Sequence, residues 1–360
     1  MNHEDYKYKT LMDRLKQDIL ERKILYGEKI PSENELAKTL SISRFTVRRA
    51  IELLTNEGWL ERRQGSGTYV KIENFEKTRT DVVGIITTYF DDYIFPSIIK
   101  GAEDVLTANN FAISLGITRN KVERESACLR SMLDQNVAGL IIEGTKSALP
   151  NDNIKILQEF DRRKIPVVFI NSTYSGFKCS SVLMDDEKSG MMAADYLIHN
   201  GHKRIGAIFK GDDIQGHKRY RGFIVSCHSK GLVIEENAML WYTTEDMEIK
   251  LGKEYNLMLE KRFHECTAIV CYNDQIAIRV LEALDRTGRH VPEDISLISF
   301  DNSELCEVSS VKLTSISHAR EKMGREAARV LLNAMNGNSH VKIILPSELV
   351  KRNSVAVWNT

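Results

Sequence analysis

Two hydrophobic patterns divide this chain near residue 80. Before that point, apolar residues recur three and four positions apart with polar residues between them, which is the spacing of amphipathic helices. After it, short apolar runs alternate with longer amphipathic stretches, as is typical of parallel β-sheets covered on both faces. The pattern predicts a small N-terminal domain over residues 1–71 and a larger α/β domain over 81–360, joined by a charged linker over 72–80.

The N-terminal pattern predicts three helices. The first is expected over 10–23. A capping box of Ser32 and Glu35 begins a short second helix that reaches about residue 40. Ser43 then caps a third helix, which reaches about residue 57 before Gly58 ends it. The residues expected to face inward are Leu11, Leu15, Ile19, Leu20, Val47, Ala50, Ile51 and Leu54.

A short β-hairpin is expected after the third helix. Residues 59–63 alternate as a strand, the stretch QGSG at 64–67 turns, and residues 68–70 return. Two short helices joined by a tight turn and followed by a hairpin are typical of a small α+β winged helix-turn-helix. In this motif the later helix of the pair, here the third predicted helix, enters the major groove of DNA. The alternative is an ordinary pair of amphipathic helices with solvated arginines, and the added wing argues against it.

The start of the third helix supplies the candidate DNA contacts. Because the apolar residues occupy the opposite face, the residues expected to face outward are Arg44, Phe45, Thr46, Arg48 and Arg49. Lys7 precedes the first predicted helix and is expected near the DNA backbone.

The motifs of this domain resemble the GntR-type family of winged helices. That family carries P-[ST]-E-x-E-L, S-R-x-T-[VI]-R-x-A and G-x-G-T-[FY]-V, and this chain has PSENEL from Pro31, SRFTVRRA from Ser43 and GSGTYV from Gly65. Phe45 departs from the pattern, since many relatives have a polar residue there. The interface that the resemblance implies comprises Glu33, Arg44, Thr46 and Arg48, with Gln64 and Gly65 reaching the minor groove from the wing.

The larger domain is expected to repeat strands and helices. Apolar runs predict strands over 82–88, 111–117, 137–143, 166–171, 204–210, 267–272 and 295–301. Helical patterns lie over 95–108, 121–135, 152–164, 187–200, 217–230 and 274–287. Ligands of parallel sheets bind at the carboxyl ends of strands. Polar or aromatic residues at such ends are Tyr89, Glu143, Asn171, Asp186, Lys210, Asn273 and Asp301.

The strings at these strand ends resemble the effector domain of the lactose-repressor family, which is itself similar to periplasmic sugar-binding proteins. They include DDEKSGMMA from Asp185, LIHNGHKRI from Leu197, CYNDQIA from Cys271 and FDNS from Phe300. The resemblance covers about 81–360 and implies two lobes linked by three crossovers. Carried over, lobe one comprises about 81–184 and 312–337, and lobe two about 186–311 and 338–360.

The fusion of these two domains resembles the arabinose-responsive repressors of Gram-positive bacteria. Supporting strings are TTYFDDYIFPS from Thr87, TKSA from Thr145 and DDIQGHKR from Asp212, whereas Gly144 departs from the proline expected there. The resemblance implies a transcriptional repressor of sugar-utilisation genes that a small sugar, L-arabinose, releases from its operator. It also implies a homodimer on palindromic double-stranded DNA.

A buried pentose needs polar partners for its hydroxyls and a flat apolar surface for its ring, because each unpaired buried polar group costs about 1–3 kcal/mol. We expect Tyr93 and Phe95 to cover the ring, with Tyr89 behind them. The expected hydroxyl partners are Glu143, Lys146 and Asn171 from lobe one, Gln215, Arg219, Asn273 and Asp301 from lobe two, and His318. The alternative for any one of them is a structural hydrogen bond at a strand end.

Charge and composition modify this picture only slightly. Fifty basic and fifty acidic residues give a net charge of zero, so the positive charge for DNA is local. Residues 43–71 hold six basic and three acidic side chains, a modest excess that favours two copies binding together. The charged N-terminus lacks a signal peptide, no run approaches the roughly 18 apolar residues of a membrane span, and the six cysteines are scattered. A cytoplasmic location is expected.

No metal, cofactor or enzyme site is expected. His199 and His202 have no further ligand nearby, and the acidic pairs at 185–186 and 212–213 are explained by caps or ligand binding. No phosphate-binding glycine motif follows a strand. Three alternatives remain: the same architecture with another sugar, a solute receptor that feeds a transporter, and a sugar-processing enzyme. The missing signal peptide and the winged domain argue against the second, and the missing catalytic base argues against the third.

Overall fold

The computed structural model describes residues 3–20, 23–25, 27–71, 80–90, 94–252, 254, 256–337 and 340–358. The chain divides into two compact units, Met1–Arg79 and Thr80–Thr360. The predicted linker falls at this division, and its residues 72–79 lie outside the described part. Within the described residues, no helix is both long and apolar enough to cross a membrane.

The N-terminal unit contains three helices and a hairpin, as predicted: α1 (His3–Leu20), α2 (Glu33–Leu40), α3 (Arg44–Asn56), β1 (Leu60–Arg63) and β2 (Gly67–Val70). The capping box is present, because the Ser32 amide donates to the Glu35 carboxylate at 2.7 Å and the Glu35 amide donates to the Ser32 hydroxyl at 3.3 Å. The strands pair antiparallel with Leu60 opposite Val70.

The core of this unit lies where the helical spacing predicts it. The predicted inward residues are at most 3% exposed: Leu11, Leu15, Ile19, Val47, Ala50, Ile51 and Leu54. The side chain of Leu20 lies outside the described part. Ile30, Leu60 and Val70 belong to the same cluster and attach the hairpin to the helices. Burying each large apolar side chain stabilises the fold by roughly 1.5–3 kcal/mol. The core therefore fixes the position of α3 relative to the hairpin.

The second unit repeats strands and helices. Its elements are β3 (Val82–Thr87), α4 (Phe95–Thr107), β4 (Ala112–Ile117), α5 (Val122–Asp134), β5 (Gly139–Glu143), α6 (Ile154–Arg162), β6 (Val167–Ile170), β7 (Ser180–Met184), α7 (Asp186–His199), β8 (Ile205–Lys210), α8 (Ile214–Ser229), β9 (Met239–Tyr242), α9 (Met247–Leu251), α10 (Asn256–Arg262), β10 (Ala268–Cys271), α11 (Asp274–Arg286), β11 (Ser296–Asp301), α12 (Leu305–Val308), β12 (Thr314–Ser317), α13 (Arg320–Met335), β13 (Lys342–Leu345) and β14 (Leu349–Val350). All predicted strands and helices are present.

Two six-stranded sheets define two lobes. The first sheet has the order β13-β7-β6-β5-β3-β4, and the second has the order β14-β12-β11-β10-β8-β9. Neighbouring strands are parallel except β14, which pairs antiparallel with β12. The chain passes between the sheets after β7, after β12 and after β13. The fold is the two-lobed α/β architecture that the sequence predicts.

The predicted lobe boundaries are wrong in the last part of the chain. Strand β12, assigned above to lobe one, pairs with β11 of the second sheet, with Thr314 opposite Ile298. Strand β13, assigned above to lobe two, pairs with β7 of the first sheet, with Ile343 opposite Val182. The crossovers therefore follow β12 and β13 and do not lie near residues 312 and 338. Parallel partners lie far apart in sequence, so no local pattern marks this exchange.

Helices α7 and α8 cross at two glycines in the second lobe. A Cβ atom on Gly222 would lie 1.8 Å from the Glu187 carbonyl oxygen, and one on Gly190 would lie 2.0 Å from that of Arg219. The backbones can approach this closely only because both residues lack a side chain. This crossing fixes the relation between Asp186 at the start of α7 and Arg219 on α8.

Candidate functional site

The start of α3 is organised by its cap. The Thr46 amide donates to the Ser43 hydroxyl at 3.1 Å, and the two hydroxyl groups lie 2.7 Å apart. Thr46 is therefore only 4% exposed. The expectation that its side chain faces outward is wrong, because the hydroxyl is used to close the first turn of the helix.

Three of the outward residues do form one exposed surface at the start of α3: Arg44, Phe45 and Arg48. The Arg48 Nε donates to the Glu33 carboxylate at 3.3 Å, and Arg62 Nη2 of β1 lies 3.5 Å from the other Glu33 oxygen. Glu33 thus aligns two arginines from separate elements. A carboxylate repels phosphate, so this geometry gives Glu33 a positioning role within the expected interface.

Arg49 is also exposed on α3, and it contacts a ring of α1. Its guanidinium carbon is 4.6 Å from the centre of the Tyr8 ring on α1, an arrangement that allows a cation–π contact. Arg49 is thus exposed, as predicted, and its contact with DNA stays a prediction. Lys7 lies in α1, but its side chain is outside the described part.

The wing presents its turn to solvent. Gln64 and Gly65 are exposed between β1 and β2, and Gly65 has φ of 74° with open space where a Cβ would lie. At the base of the turn, the Arg63 guanidinium lies 4.4 Å from the centre of the Tyr69 ring, and the hydroxyls of Ser66 and Tyr69 are 2.6 Å apart. These contacts stiffen a tip that can approach a phosphate backbone closely.

The second unit contains a cavity of about 340 Å³ whose walls come from both lobes. Its lining residues are Tyr89, Lys210, Tyr242, Thr244, Met247, Tyr272, Asn273, Gln275 and Ile276. Tyr89 follows β3 of the first lobe, and the remaining residues belong to the second lobe. Two residues of the predicted sugar site, Tyr89 and Asn273, are among them.

The aromatic arrangement is the reverse of the predicted one. Phe95 is 4% exposed and packs in the core of the first lobe with its ring centre 6.4 Å from that of Tyr89. Phe95 thus lies behind, while Tyr89 lines the cavity. Helical packing of α4 decides this, because Phe95 is the first residue of that helix and faces its buried side. Tyr93 lies outside the described residues.

Arg219 is the centre of a buried charged cluster in the second lobe. Its Nε donates to Asp186 at 2.9 Å, its Nη1 to the Tyr272 carbonyl at 2.7 Å, and its Nη2 to Asp301 at 3.3 Å. Gln215 also donates to Asp186, at 3.3 Å. Burial raises the pKa of Asp186 to about 6, although the charge of Arg219 opposes that rise. The structure thus brings together Gln215, Arg219 and Asp301, as the sequence predicts.

A series of buried hydrogen bonds links Glu143, Asn171 and His318. Glu143 accepts from the Thr88 amide at 3.2 Å, from the Thr88 hydroxyl, and from Asn171 Nδ2 at 2.8 Å. The Asn171 oxygen lies 2.9 Å from His318 Nε2. Burial raises the pKa of Glu143 to about 7 and lowers the pKa of His318 to about 4.

The neutral His318 ring therefore donates from Nε2 to Asn171, because the Asn171 amide group is already a donor to Glu143. This leaves His318 Nδ1 as a buried acceptor without a partner among the described residues. His318 follows β12 at a crossover and lies beside Arg219 and Asp301. It is thus placed where the two lobes meet.

Lys210 and Asp213 are two interacting charges that the predicted sugar site does not include. Asp213 caps α8 and accepts from the Tyr272 hydroxyl at 2.6 Å and the Ser147 hydroxyl at 3.0 Å. Burial disfavours the charged form of Lys210, but Asp213 and Asp212 outweigh that effect and raise its pKa. Burial also opposes ionisation of Asp213, whereas Lys210 and Tyr272 lower its pKa. Both groups therefore stay charged beside the cavity.

Direct contacts join the lobes near the mouth of the cavity. Asn120 of the first lobe donates to Asp212 of the second at 3.1 Å, and Asp212 also accepts from the Thr244 hydroxyl at 2.8 Å. Lys146, with φ of 46°, pairs with Glu245 across the lobes. The Lys146 ammonium thus forms an ion pair with a carboxylate of the opposite lobe.

A buried carboxylate supports the loop that carries Lys146. Glu125 of α5 accepts from the Thr145 amide at 2.9 Å and from the amide groups of Asn151 and Asn153 at 2.9 and 2.7 Å. A Cβ on Gly144 would lie 3.0 Å from the Tyr174 ring, which explains in part why this loop uses glycine.

The strand-end rule marks Lys210 in the sequence, and it could also have identified Tyr272 and Tyr242. Lys210 ends β8, Tyr272 immediately follows β10, and Tyr242 ends β9. Tyr272 lies in the string CYNDQIA noted in the sequence, but the strand β9 itself has no clear periodicity there. Within the described residues, no group of three or more histidine, cysteine or acidic side chains could hold a metal ion.

Each of the two units matches a known protein family. Residues 7–70 match the bacterial regulatory proteins of the gntR family, and residues 194–355 match the periplasmic binding protein-like domain. Among solved structures, the CelR–cellobiose complex has a TM-score of 0.68 at 21% identity, covering 90% of this chain and 100% of that chain. A LacI family regulator from Enterococcus faecium with bound ribose has a TM-score of 0.66 at 23% identity, covering 77% and 100%. These likenesses concern the fold.

Two relatives match over nearly their whole length. The chain is 40% identical over 353 residues to the arabinose metabolism transcriptional repressor of Geobacillus stearothermophilus, covering 97% of each chain. It is 38% identical over 362 residues to the protein of the same name from Halalkalibacterium halodurans, covering 97% of this chain and 96% of that one. The relatives are regulators, in agreement with the expectation that this protein is not an enzyme. The chain belongs to the family of arabinose metabolism transcriptional repressors.

Proposed function

We propose that this protein is a homodimeric repressor that leaves a palindromic operator when L-arabinose enters the cavity of its second unit. The names of the two full-length relatives support the choice of arabinose. The observation that carries the proposal is the cavity of about 340 Å³ with walls from both lobes. Such a repressor works in the cytoplasm, where the DNA lies, and it needs no cofactor.

The chemistry of the cavity suits a small polyol. Its volume is near the lower end of the range for ligand pockets, roughly 300–1,000 Å³. Lys210 offers an ammonium donor, Asn273 an amide and Thr244 a hydroxyl, while Tyr89 and Tyr242 offer ring surfaces. A pentose presents the complementary groups, hydroxyls around a ring with apolar C–H faces.

The charges around the cavity favour a neutral sugar over a phosphorylated one. Two cations, Arg219 and Lys210, stand against four carboxylates in the buried clusters, Asp186, Asp212, Asp213 and Asp301, and against Glu143, whose pKa is raised to about 7. Hydroxyl groups can donate to carboxylates, whereas a phosphate would be repelled by them. We therefore expect the effector to be an unmodified monosaccharide.

Release of DNA requires that the sugar favour one arrangement of the lobes. A ligand between Tyr89 and the second lobe would change the lobe contacts made by Asn120 and Lys146. The linkers at 72–80 would carry that change to the winged units of a dimer. A hundredfold loss of operator affinity needs about 2.7 kcal/mol of coupling.

Titration calorimetry of the full-length protein tests the proposal. We expect heat with L-arabinose, and none with D-glucose or arabinose 5-phosphate at the same concentrations. Lys210→Met should weaken L-arabinose binding at least tenfold, because the ammonium is lost from the cavity wall. Lys203→Met removes an exposed lysine of the same lobe and should bind like the wild type.

The outcomes separate the alternatives. Silence with every sugar would contradict a sugar-sensing role, and heat with a different pentose alone would change the effector but keep the architecture. Conversion of the sugar to any product would contradict a regulator and support an enzyme. Operator release in the same solutions, measured by fluorescence anisotropy, should follow sugar occupancy.

A further inference from the structure

We propose that Phe45 recognises the C5-methyl group of a thymine in the operator, so that this repressor specifies a T·A base pair through an apolar contact. The inference rests on the proposed DNA binding and adds the base that one residue reads. It concerns a residue of this chain that departs from the polar residue of many GntR-type relatives.

The fold does not use the Phe45 side chain. Phe45 is 69% exposed, more than any other large apolar side chain in the described part of the N-terminal unit. Its neighbours Thr46 and Val47 are buried at 4% and 0%, and the hydrophobic core of the unit does not include Phe45. A phenyl ring left in water contributes nothing to the fold of this unit, so the side chain is available to a partner.

Phe45 lies at the position from which a recognition helix reads bases. It is the second residue of α3, with Arg44 and Arg48 exposed on the same side. Residues at the N-terminal end of a recognition helix contact base edges in the major groove. Arg48, three positions after Phe45 on the same helix, donates from Nε to Glu33 at 3.3 Å, so a positioned arginine accompanies the phenylalanine at this end of α3.

The chemistry of the groove leaves one partner for such a ring. Base edges in the major groove present hydrogen-bond donors and acceptors, and thymine adds a methyl group. A phenyl ring has neither donor nor acceptor, so packing it on a guanine or adenine edge would bury polar atoms without partners. Packing it on a phosphate would desolvate a charge. Contact with the thymine methyl instead removes two apolar surfaces from water.

Deoxyuridine substitution tests this contact, because uracil pairs as thymine does and lacks only the methyl group. The full-length protein is first used to select its preferred sites from a random DNA pool. The selected duplex is then made with each thymine replaced in turn by deoxyuridine, and the affinities are compared for the wild type and Phe45→Ala. Burying one methyl group contributes roughly a fourfold gain in affinity.

We expect one thymine in each half-site where the substitution weakens wild-type binding about fourfold, or about sixteenfold when both half-sites are changed. Phe45→Ala should bind the thymine and uracil duplexes equally and should melt at the wild-type temperature, because the ring is exposed. Val233→Ala, which truncates an 83% exposed residue of the second unit, should keep the wild-type preference for thymine.

Two results would overturn the inference: equal wild-type affinity for thymine and uracil at every position, or the same uracil penalty in Phe45→Ala. Either would leave the proposed function intact. Failure of the selection to enrich any site would instead contradict the proposed function, so the two failures are distinguishable.

Discussion

At the scale of a single residue, Arg219 illustrates how the second unit depends on paired buried charge. Its side chain is 5% exposed and is bound to Asp186 and Asp301, which are 1% and 6% exposed in their side chains. The ring centres of Phe300 and Tyr272 lie 4.6 and 5.1 Å from its guanidinium carbon. One guanidinium thus serves two buried carboxylates, and removing it leaves both without a cation.

Arg219→Ala should therefore lower the free energy of unfolding by about 3–5 kcal/mol, because two buried carboxylates lose their cation. Arg221→Ala is the matched control on the same helix, since its exposed side chain pairs with Glu187 at 3.3 Å and contributes at most about 1 kcal/mol. Urea unfolding of both variants measures the difference. Equal stabilities for the two variants would mean that the cluster does not depend on its arginine.

Glu143 makes a prediction about pH. Burial raises its pKa from an ordinary 4.5 to about 7, so the folded protein holds this proton more tightly than the unfolded chain. The contribution of Glu143 to stability is then full below pH 4.5 and is lost as pH rises to 7, by about 3 kcal/mol. His318, whose pKa burial lowers to about 4, acts in the opposite direction between pH 4 and 6.5.

The variant Glu143→Gln isolates the carboxyl group, because glutamine imitates its protonated form and does not titrate. We expect the stability of the wild type relative to this variant to fall by about 3 kcal/mol between pH 4.5 and 7.5. Denaturant unfolding at a series of pH values measures it. A constant difference across that range would show that Glu143 titrates normally.

At the scale of an element, close helix crossings position the charged clusters. Gly222→Ala would place a methyl group 1.8 Å from the Glu187 carbonyl oxygen, so α7 and α8 must separate. We expect a loss of stability of about 1–3 kcal/mol or more and weaker sugar binding, because Asp186 and Arg219 lie on the separated helices.

Gly211→Ala serves as the control for this crossing. Its nearest contact would be the Tyr242 carbonyl oxygen at 3.6 Å, which is ordinary van der Waals distance. Thermal unfolding should show a large decrease in Tm for Gly222→Ala and a small one for Gly211→Ala. Similar decreases would mean that the crossing can relax without cost.

At the scale of the whole molecule, two separate units divide DNA binding from sugar binding. Arg48→Ala should weaken operator binding by about 1–3 kcal/mol, the value of a bidentate contact to guanine, and leave L-arabinose affinity unchanged. Arg14→Ala removes an exposed arginine of α1 and should have little effect. Anisotropy with operator and random DNA distinguishes the roles, since equal losses on both would indicate a phosphate contact.

Coupling between the units leads to a prediction about the affinities of both ligands, which only the full-length protein can test. If L-arabinose lowers operator affinity by some factor, saturating operator must lower L-arabinose affinity by the same factor. Calorimetry with and without operator duplex measures the second factor, and anisotropy measures the first. Unequal factors would mean that a further equilibrium, such as dissociation of the dimer, takes part.

The sequence by itself determined the elements of both units. The capping box at Ser32 and Glu35, the apolar spacing along α3 and the apolar runs of the strands act over a few residues. Such signals depend on local backbone chemistry, so helices and strands could be located without any knowledge of their partners. The family motifs, which are also local, identified the two units.

The tertiary structure decided which side chains form the sites. Thr46 bonds to Ser43, the residue that caps α3. The Arg49 guanidinium lies over the Tyr8 ring of another helix, and the packing of α4 buries Phe95. Strands β12 and β13 exchanged lobes because their parallel partners lie elsewhere in the chain.

The contacts of the proposed sugar site join residues that lie far apart in the sequence. Asn171 meets His318 from 147 residues away, and Asn120 meets Asp212 from 92 residues away. No periodicity or spacing encodes such a meeting, because it depends on how whole sheets and helices pack together. The strand ends could be located from the sequence. The packing of the two lobes determines whether a residue at a strand end faces the cavity, the core or another charge.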